Sequence, residues 1–477
     1  MTVDAASLLV RRFEESWTDP LLTDPAGCRL SYGQVWVNAA RLAAEWRNAG
    51  VAKGDRVALV LGNHIAFPCC YLACMIGGFI AVPVNPELSD SDVAHILELA
   101  RPGIVLRSPP AIDDRSLLAR SQLKLAGDSR DVAAIFFTSG TTGLPKGVQH
   151  SLDALVGNVV SFNAAMGLGR DTHMYHVLPM AYMAGFLNTL LSPIMAGGRV
   201  VIGRRFSAET ALDFWTLAIA EGANTSWLTP TIAATLCRLA RDKDTAPAMV
   251  RGFRTILCGT APLHPNVRRD FVATFAVPLQ ESYGTSELLL VSAQNPADAA
   301  ASAEHVGAPL HELILSFRTD SEGRRELMVT SPYAMLGYLT AEELTTPVTV
   351  EGAMPTGDIA ELKSGSLHIT GRIKDLIIRG GVNVAPQAIE NVLRDVPGVL
   401  DIAVIGRPHS FWGETIVVCV EADRSVDPTT LETAIRQRCQ TSLARAYRPD
   451  EISILDSLPR GTTGKIQKHL LRQSVEH

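Results

Sequence analysis

Several patterns that would place a protein quickly are missing from this chain. Its eight cysteines include no CxxC pair, and the cluster Cys69, Cys70 and Cys74 does not have metal-ligand spacing. The opening stretch MTVDAASLLVRRFEES lacks the basic-then-apolar layout of a secretory leader. Reduced thiols in a cytoplasm are therefore expected. Charge is sparse: Asp, Glu, Lys and Arg make up 19% of residues, the formal net charge is −6, and there is no long run of one sign. That reads as an ordinary soluble surface and argues against a nucleic-acid or anionic-membrane partner. No repeat of the length that builds solenoids is visible.

An uninterrupted apolar span is also lacking. FPCCYLACMIGGFIAVPV, Phe67 to Val84, reaches the roughly 18 residues that suggest a membrane helix. It is broken by Pro68, Gly77, Gly78 and Pro83. The sequence predicts a buried helix to about Ile76, a Gly-Gly break and a short strand, rather than a membrane span.

What is present is a large stock of core-forming residues. Hydrophobic residues make up 47% of 477, enough for a sizeable core and too many for disorder. At ~150 residues per domain the length allows about three domains or fewer. Strand-like runs recur: RVALVLG, FIAVPV, GIVLR, VAAIFF, MYHVLPM, GRVVIG, NTSWLTP and RTILCGT. Helical patterns such as SDVAHILELA and AETALDFWTLAIAEG lie between several of them, so the predicted fold class is α/β with layered, mostly parallel sheets. NPADAAASAEH, near residue 300, reads as a surface loop. The texture changes near residue 370. From there PQAIENVLRDV, GVLDIAVIG, ETIVVCVEA, TTLETAIRQRCQTSLA and DEISILDSLP alternate helix, strand, strand, helix, strand. The expected division is a large N-terminal domain, residues 1–371, and a small α+β domain, residues 372–477.

One loop stands out chemically. FFTSGTTGLPKG, Phe136 to Gly147, follows an apolar strand with glycines, hydroxyls and one lysine. Glycines let backbone N–H groups approach a ligand. Thr138, Ser139, Thr141 and Thr142 add hydroxyl donors, and Lys146 adds a mobile positive charge. A polyphosphate suits such a loop, and so, on composition alone, does a flexible surface turn. It is not a Walker A loop, because Pro145 precedes the lysine and Gly147 follows it.

TSGTTGLPKG resembles the phosphate-loop signature of the adenylate-forming enzymes: acyl- and aryl-CoA synthetases, luciferases and peptide-synthetase adenylation domains. Four further motifs resemble that family in its own order. They are SYGTSE (Ser282 to Glu287), TGD (Thr356 to Asp358), GRIKDLIIRGG (Gly371 to Gly381) and PRGTTGKI (Pro459 to Ile466). The resemblance spans essentially the whole chain. It implies a two-step reaction. A carboxylate attacks the α-phosphorus of ATP to give an acyl-adenylate and pyrophosphate, and a thiol then displaces AMP. Neither step needs a protein nucleophile, so catalysis rests on positioning and electrostatics.

The resemblance also implies roles for particular residues. Thr138, Ser139, Gly140, Thr141, Thr142, Gly143 and Lys146 would hold the β- and γ-phosphates. Glu287 would bind Mg2+, beside Ser286 where the family usually has threonine. Asp358 and Arg372 would meet the ribose or phosphates, an ionised carboxylate being a strong acceptor for a cis-diol. Gly259, Thr260 and Ala261, with Glu281, Ser282, Tyr283, Gly284 and Thr285, would frame the adenine and the carboxylate. Lys465 would reduce repulsion between the attacking carboxylate and the α-phosphate, and Lys374 would be the hinge of a mobile C-terminal domain. Gly380 and Gly381 would line the passage for the acceptor arm. Outside these motifs Glu287 and Lys374 would read as surface charges. One departure is Pro386-Gln387-Ala388-Ile389-Glu390, which lacks the first glutamate of the family's pattern.

The acid-binding stretch is less patterned. LPMAYMAGF, Leu178 to Phe186, has Tyr182 where the family often has histidine, and no carboxylate to pair with an α-ammonium. Met180, Tyr182, Met183 and Trp227 would make an apolar, partly aromatic pocket for an aryl or medium-chain acid. For Trp227 a plain core position is an equal alternative. His173 and His176 form HxxH without a third ligand, and read as unrelated. The acceptor expected is CoA, with a separate carrier protein or an amine as the alternative. A nucleotide binder without turnover and a luciferase-like oxygenase are remoter readings.

Overall fold

The structure is a computed structural model that describes residues 4–114, 123–139, 145–207, 209–240, 246–295, 305–319, 323–340, 343–345, 352–380, 382–461 and 466–475. The chain forms two compact units. The first comprises residues 1–314 and 329–354, and the second residues 315–328 and 355–477.

The first unit is built on two sheets. A nine-stranded sheet runs in the order Ala308–Pro309, Leu289–Ala293, Leu279–Thr285, Thr255–Cys258, Thr225–Leu228, His173–His176, Arg199–Ile202, Pro20–Thr23, Arg29–Ser31. Its interior pairings, from Leu279–Thr285 across to Pro20–Thr23, are parallel. A seven-stranded sheet runs Glu343–Thr345, Gly337–Thr340, Pro145–Ser151, Val132–Ser139, Ile80–Val84, Arg56–Val60, Ile104–Leu106. The predicted apolar runs supply these strands because parallel strands covered by helices are buried on both faces. All four residues of Thr225–Leu228 and of Thr255–Cys258 are buried.

The interrupted apolar run resolves as helix Ala66–Gly77 and strand Ile80–Val84. Gly78, at φ 70°, ends the helix in the left-handed region, and its N–H returns to the carbonyls of Cys74 and Met75. No helix among the described residues is long and apolar enough to cross a membrane. Helix Asp90–Ala100 covers the SDVAHILELA pattern, its first turn capped by the Ser89 hydroxyl, which accepts from Asp92 N–H. One helix is shorter than its pattern. AETALDFWTLAIAEG is helical only over Phe214–Ala220; residues 209–213 form turns, and the Asp213 carboxylate at the helix start pairs with Arg204 rather than with a helix N–H. Residues 296–304, read as a surface loop, lie outside the described residues.

The second unit holds two smaller sheets. One runs Ile314–Thr319, Arg325–Thr330, Met354–Lys363, Ser366–Arg372. The other runs Val382–Val384, Ile377–Arg379, Gly413–Ala422, Val399–His409, with Glu451–Leu455 added parallel to Gly413–Ala422. Helices Pro386–Leu393 and Pro428–Ser442 complete the predicted helix, strand, strand, helix, strand order. Ile389, Leu393, Val404, Val418 and Ile435 meet in its core. Segments 315–328 and 355–371, which the sequence reading joins to the N-terminal domain, group with residues 372–477 here, since Met354–Lys363 and Ser366–Arg372 form one hairpin.

Candidate active site

In the first unit, strand pairing brings two distant motifs together. Pro145–Ser151 lies between Val132–Ser139 and Gly337–Thr340. Thr138 is opposite Lys146, and Tyr338 is opposite Val148. Residues two apart on a strand share a face, so Tyr338 and Lys146 are diagonal neighbours. Lys146 Nζ lies 5.8 Å from the centroid of the Tyr338 ring. The Tyr338 hydroxyl donates to Glu287 Oε1 at 2.9 Å. Burial raises the Tyr338 phenol above its ordinary pKa, with the nearby Glu287 charge adding to the effect, so it stays protonated and donates.

Glu287 sits on a tight turn between Leu279–Thr285 and Leu289–Ala293. The pairing is irregular between Tyr283 and Gly284, and Leu289 has φ 60°. A Cβ on Gly284 would stand 2.2 Å from the Leu289 carbonyl oxygen, so only glycine fits there. Met335 N–H donates to Glu287 O at 2.8 Å, and Leu288 N–H to Thr285 Oγ1 at 3.1 Å. His150 Nε2 donates to Ser286 O at 2.7 Å. Burial lowers the His150 pKa to about 4, so its ring is neutral near pH 7.

The Gly259–Ala261 segment follows strand Thr255–Cys258. Gly259 N–H donates to Leu228 O at 3.2 Å. Thr260 has φ 70°, uncommon for a side chain branched at Cβ, and its buried hydroxyl has no partner among the described residues. Strain and an orphaned polar atom together are a feature of ligand sites. Glu281 points elsewhere. Its carboxylate pairs with Arg268 at 2.8 Å and accepts Leu263 N–H at 3.2 Å, bracing the turn from within the fold. Burial pushes this carboxyl up to about 7 against the pull of Arg268.

Around the expected acid stretch, Met180 is buried, and Tyr182 and Met183 are partly exposed. Asn85 Nδ2 donates to the Tyr182 hydroxyl at 3.2 Å. Asn63 grips the same stretch, accepting Met180 N–H at 2.8 Å and donating to Leu178 O at 2.9 Å. Trp227 is 1% exposed and packs on Phe162 at 5.5 Å, so it is a core residue. Its Nε1 and Ser282 Oγ each lie 3.0 Å from where a Cβ on Gly259 would stand. His173 Nδ1 is engaged by Gly222 O and Arg199, and His176 Nδ1 by Thr189 Oγ1.

In the second unit, Asp358 is 2% exposed and faces Arg372 across the hairpin, with Arg372 Nε donating to Oδ1 at 2.5 Å. The turn before it is tied by Gly357 N–H to Glu326 Oε1 and by Asp358 N–H to Thr356 Oγ1, each 3.1 Å. Lys374 is exposed on the short turn Ile373–Asp375. Gly380 has φ 57° and donates its N–H to Trp412 O at 2.7 Å. Gly140, Thr141, Thr142, Gly143, Gly381 and Lys465 lie outside the described residues, as does the Ser139 side chain.

The AMP-binding enzyme profile matches residues 11–339, and the AMP-binding enzyme C-terminal domain profile matches residues 388–465. This chain belongs to the AMP-binding enzyme family. A long-chain-fatty-acid–CoA ligase of Mycobacterium tuberculosis is 30% identical over 93% of each chain. A sulfoacetate–CoA ligase of Cupriavidus necator is 29% identical, covering 98% of this chain and 97% of that protein. Among solved structures, ATP-bound MatB from Rhodopseudomonas palustris superposes with a TM-score of 0.87 at 26% identity over 99% of both chains.

For this AMP-binding enzyme the structure adds residues that motif reading misses. Tyr338 and His150 support Glu287 and Ser286, and Asn63 and Asn85 hold the acid stretch. A cross-strand neighbour of the lysine strand, and asparagines just after apolar strands, are the signals that could have found them.

Proposed function

We propose that this chain is an AMP-forming ligase that activates a carboxylic acid with ATP and passes the acyl group to a thiol, CoA above all. In the first step a carboxylate oxygen bonds to the α-phosphorus and the bond to the β-phosphate breaks, releasing pyrophosphate. In the second a thiol sulfur bonds to the acyl carbon, AMP departs and the thiol proton is lost to water or a base. The observation that carries the reading is the meeting of Lys146 and Glu287, from separate motifs, on Tyr338. It puts a cation for phosphate oxygens beside an anion suited to a hard metal.

Glu287 fits Mg2+, because one phenol takes only one of the roughly four acceptor positions on a carboxylate. Glu287 would hold the ion, which when bound supplies charge neutralisation at the phosphates. Lys146 attracts phosphate oxygens directly, and the strained Thr260 turn offers a hydroxyl with no partner among the described residues, next to Gly259. Asp358, fixed by Arg372, would accept from the ribose hydroxyls. Lys465 would offset the repulsion between the two reacting anions.

Met180, Tyr182 and Met183 favour an aryl or medium-chain acid. The test is acid-dependent exchange of labelled pyrophosphate into ATP without CoA, across aryl, fatty, short-chain and amino acids. Strong exchange with an aryl or medium-chain acid is expected. Folded, ATP-binding protein that exchanges with none of them would sink the reading. Acyl-AMP that persists when CoA is added would move the acceptor to a carrier protein or an amine.

A further inference from the structure

We infer that Tyr338 is a positioning residue that orients the Glu287 carboxylate toward its metal while keeping it separate from the Lys146 ammonium. The inference rests on the metal role proposed for Glu287. The geometry carries it. Tyr338 is fixed on the second strand of the seven-stranded sheet, paired with Val148 on one side and with Thr345 of the edge strand on the other. Glu287 is on a turn, at the end of a side chain with three rotatable bonds, and turns hold such groups loosely. One hydrogen bond from a strand-borne phenol removes much of that freedom.

The choice of partner matters. A lysine or arginine donating to Glu287 would orient it equally well but would neutralise the charge that a cation needs. A phenol is neutral, so the carboxylate keeps its full charge. The Lys146 ammonium lies over the ring, 5.8 Å from its centroid, and makes no ion pair with Glu287 among the described residues. The ring thus offers the lysine a favourable resting place apart from the carboxylate. Both charges remain available for the triphosphate and its ion. Outer partners of this kind commonly tune metal affinity.

Two substitutions separate the functions of the ring and the hydroxyl. Tyr338→Phe removes the donor and keeps the ring. Tyr338→Leu removes both. Mn2+ retained by the full chain with ATP, titrated and counted as protein-bound metal after rapid gel filtration has removed free Mn2+ and free Mn2+–ATP, needs no acid and no turnover. Glu287→Gln is the reference. Tyr338→Phe is expected to weaken Mn2+ binding roughly tenfold, with the wild-type amount bound at saturation, an unchanged melting temperature and unchanged metal-free ATP affinity. Tyr338→Leu should also weaken metal-free ATP binding, through Lys146. Weakened Mn2+ binding in Glu287→Gln with none in Tyr338→Phe overturns the inference alone. Wild-type Mn2+ binding by both overturns it together with the metal role of Glu287. A lowered plateau in Tyr338→Phe, with a lowered melting temperature, also overturns it, since that is loss of folded protein rather than of orientation.

Discussion

His150 shows how a residue outside every motif can hold one in place. Its ring is fully enclosed, and its only partner among the described residues, through Nε2, is the carbonyl of Ser286, next to Glu287. Enclosure holds the folded pKa at about 4, below the ~6.5 of an unfolded chain. The sign follows directly. Above about pH 6.5 neither state binds the proton. Between about 6.5 and 4 only the unfolded state does, so folded stability falls as pH falls. From pH 7.5 to 5 this one group should remove about 2 kcal/mol. His176, also held at about 4, acts in the same direction. Glu281, with its carboxyl at about 7, acts in the opposite direction between about 4.5 and 7. A variant isolates the His150 contribution. His150→Gln is expected to be less stable than wild type at pH 7.5, with the gap narrowing by about 2 kcal/mol at pH 5. Denaturant melts at both pH values read it directly, and a gap that stays constant would refute the assignment.

Among the elements, the hairpin Leu279–Thr285 to Leu289–Ala293 is the most demanding, because its turn delivers Ser286 and Glu287. Gly284→Ala would set a methyl 2.2 Å from the Leu289 carbonyl oxygen, a backbone atom that cannot rotate away. A cost of about 2–4 kcal/mol is expected from such a clash. It should appear as a lower melting temperature together with weaker Mn2+ retention in the ATP complex. An unchanged melt would show that the turn relaxes freely. Elements of this kind were only partly legible in the sequence. Strands such as Arg56–Val60 and Ile80–Val84 could be read, because burial on both faces demands continuous apolar runs. The start of helix Phe214–Ala220 could not, because the helical pattern of AETALDFWTLAIAEG runs on through residues 209–213, which form turns. The motifs located Glu281 and Glu287 equally well. Only the fold shows that the first turns inward to Arg268 and the second meets Tyr338. Tyr338 itself was illegible, since it reaches the site through sheet pairing with a strand far away in the chain.

At the scale of the whole molecule, the two units each carry part of the proposed chemistry. Lys146, Glu287 and the Thr260 turn belong to the first, and Asp358, Arg372, Lys374 and Gly380 to the second. The sequence positions of Lys465 and Gly381 also fall in the second. The two half-reactions make different demands. In adenylation two anions must approach, so a cation near the acid and the α-phosphate lowers the barrier directly. In thioester formation the acyl group is already a mixed anhydride, that repulsion is gone, and access for the acceptor arm becomes the requirement. Residues serving one demand need not serve the other, and single variants should separate the steps. Lys465→Ala is expected to slow adenylation about a hundredfold or more, while ATP binding by calorimetry and the melting temperature stay near wild type. Gly381→Pro, next to the left-handed Gly380, should leave pyrophosphate exchange intact and slow only the transfer of preformed acyl-adenylate to CoA. Single-turnover assays started from acid and ATP, and separately from acyl-adenylate and CoA, read the two steps apart. If Gly381→Pro slowed both steps equally, the glycine would be serving the fold rather than the acceptor. If Lys465→Ala left adenylation at the wild-type rate, the cation for the first step would have to be sought elsewhere, with Lys146 the next to test.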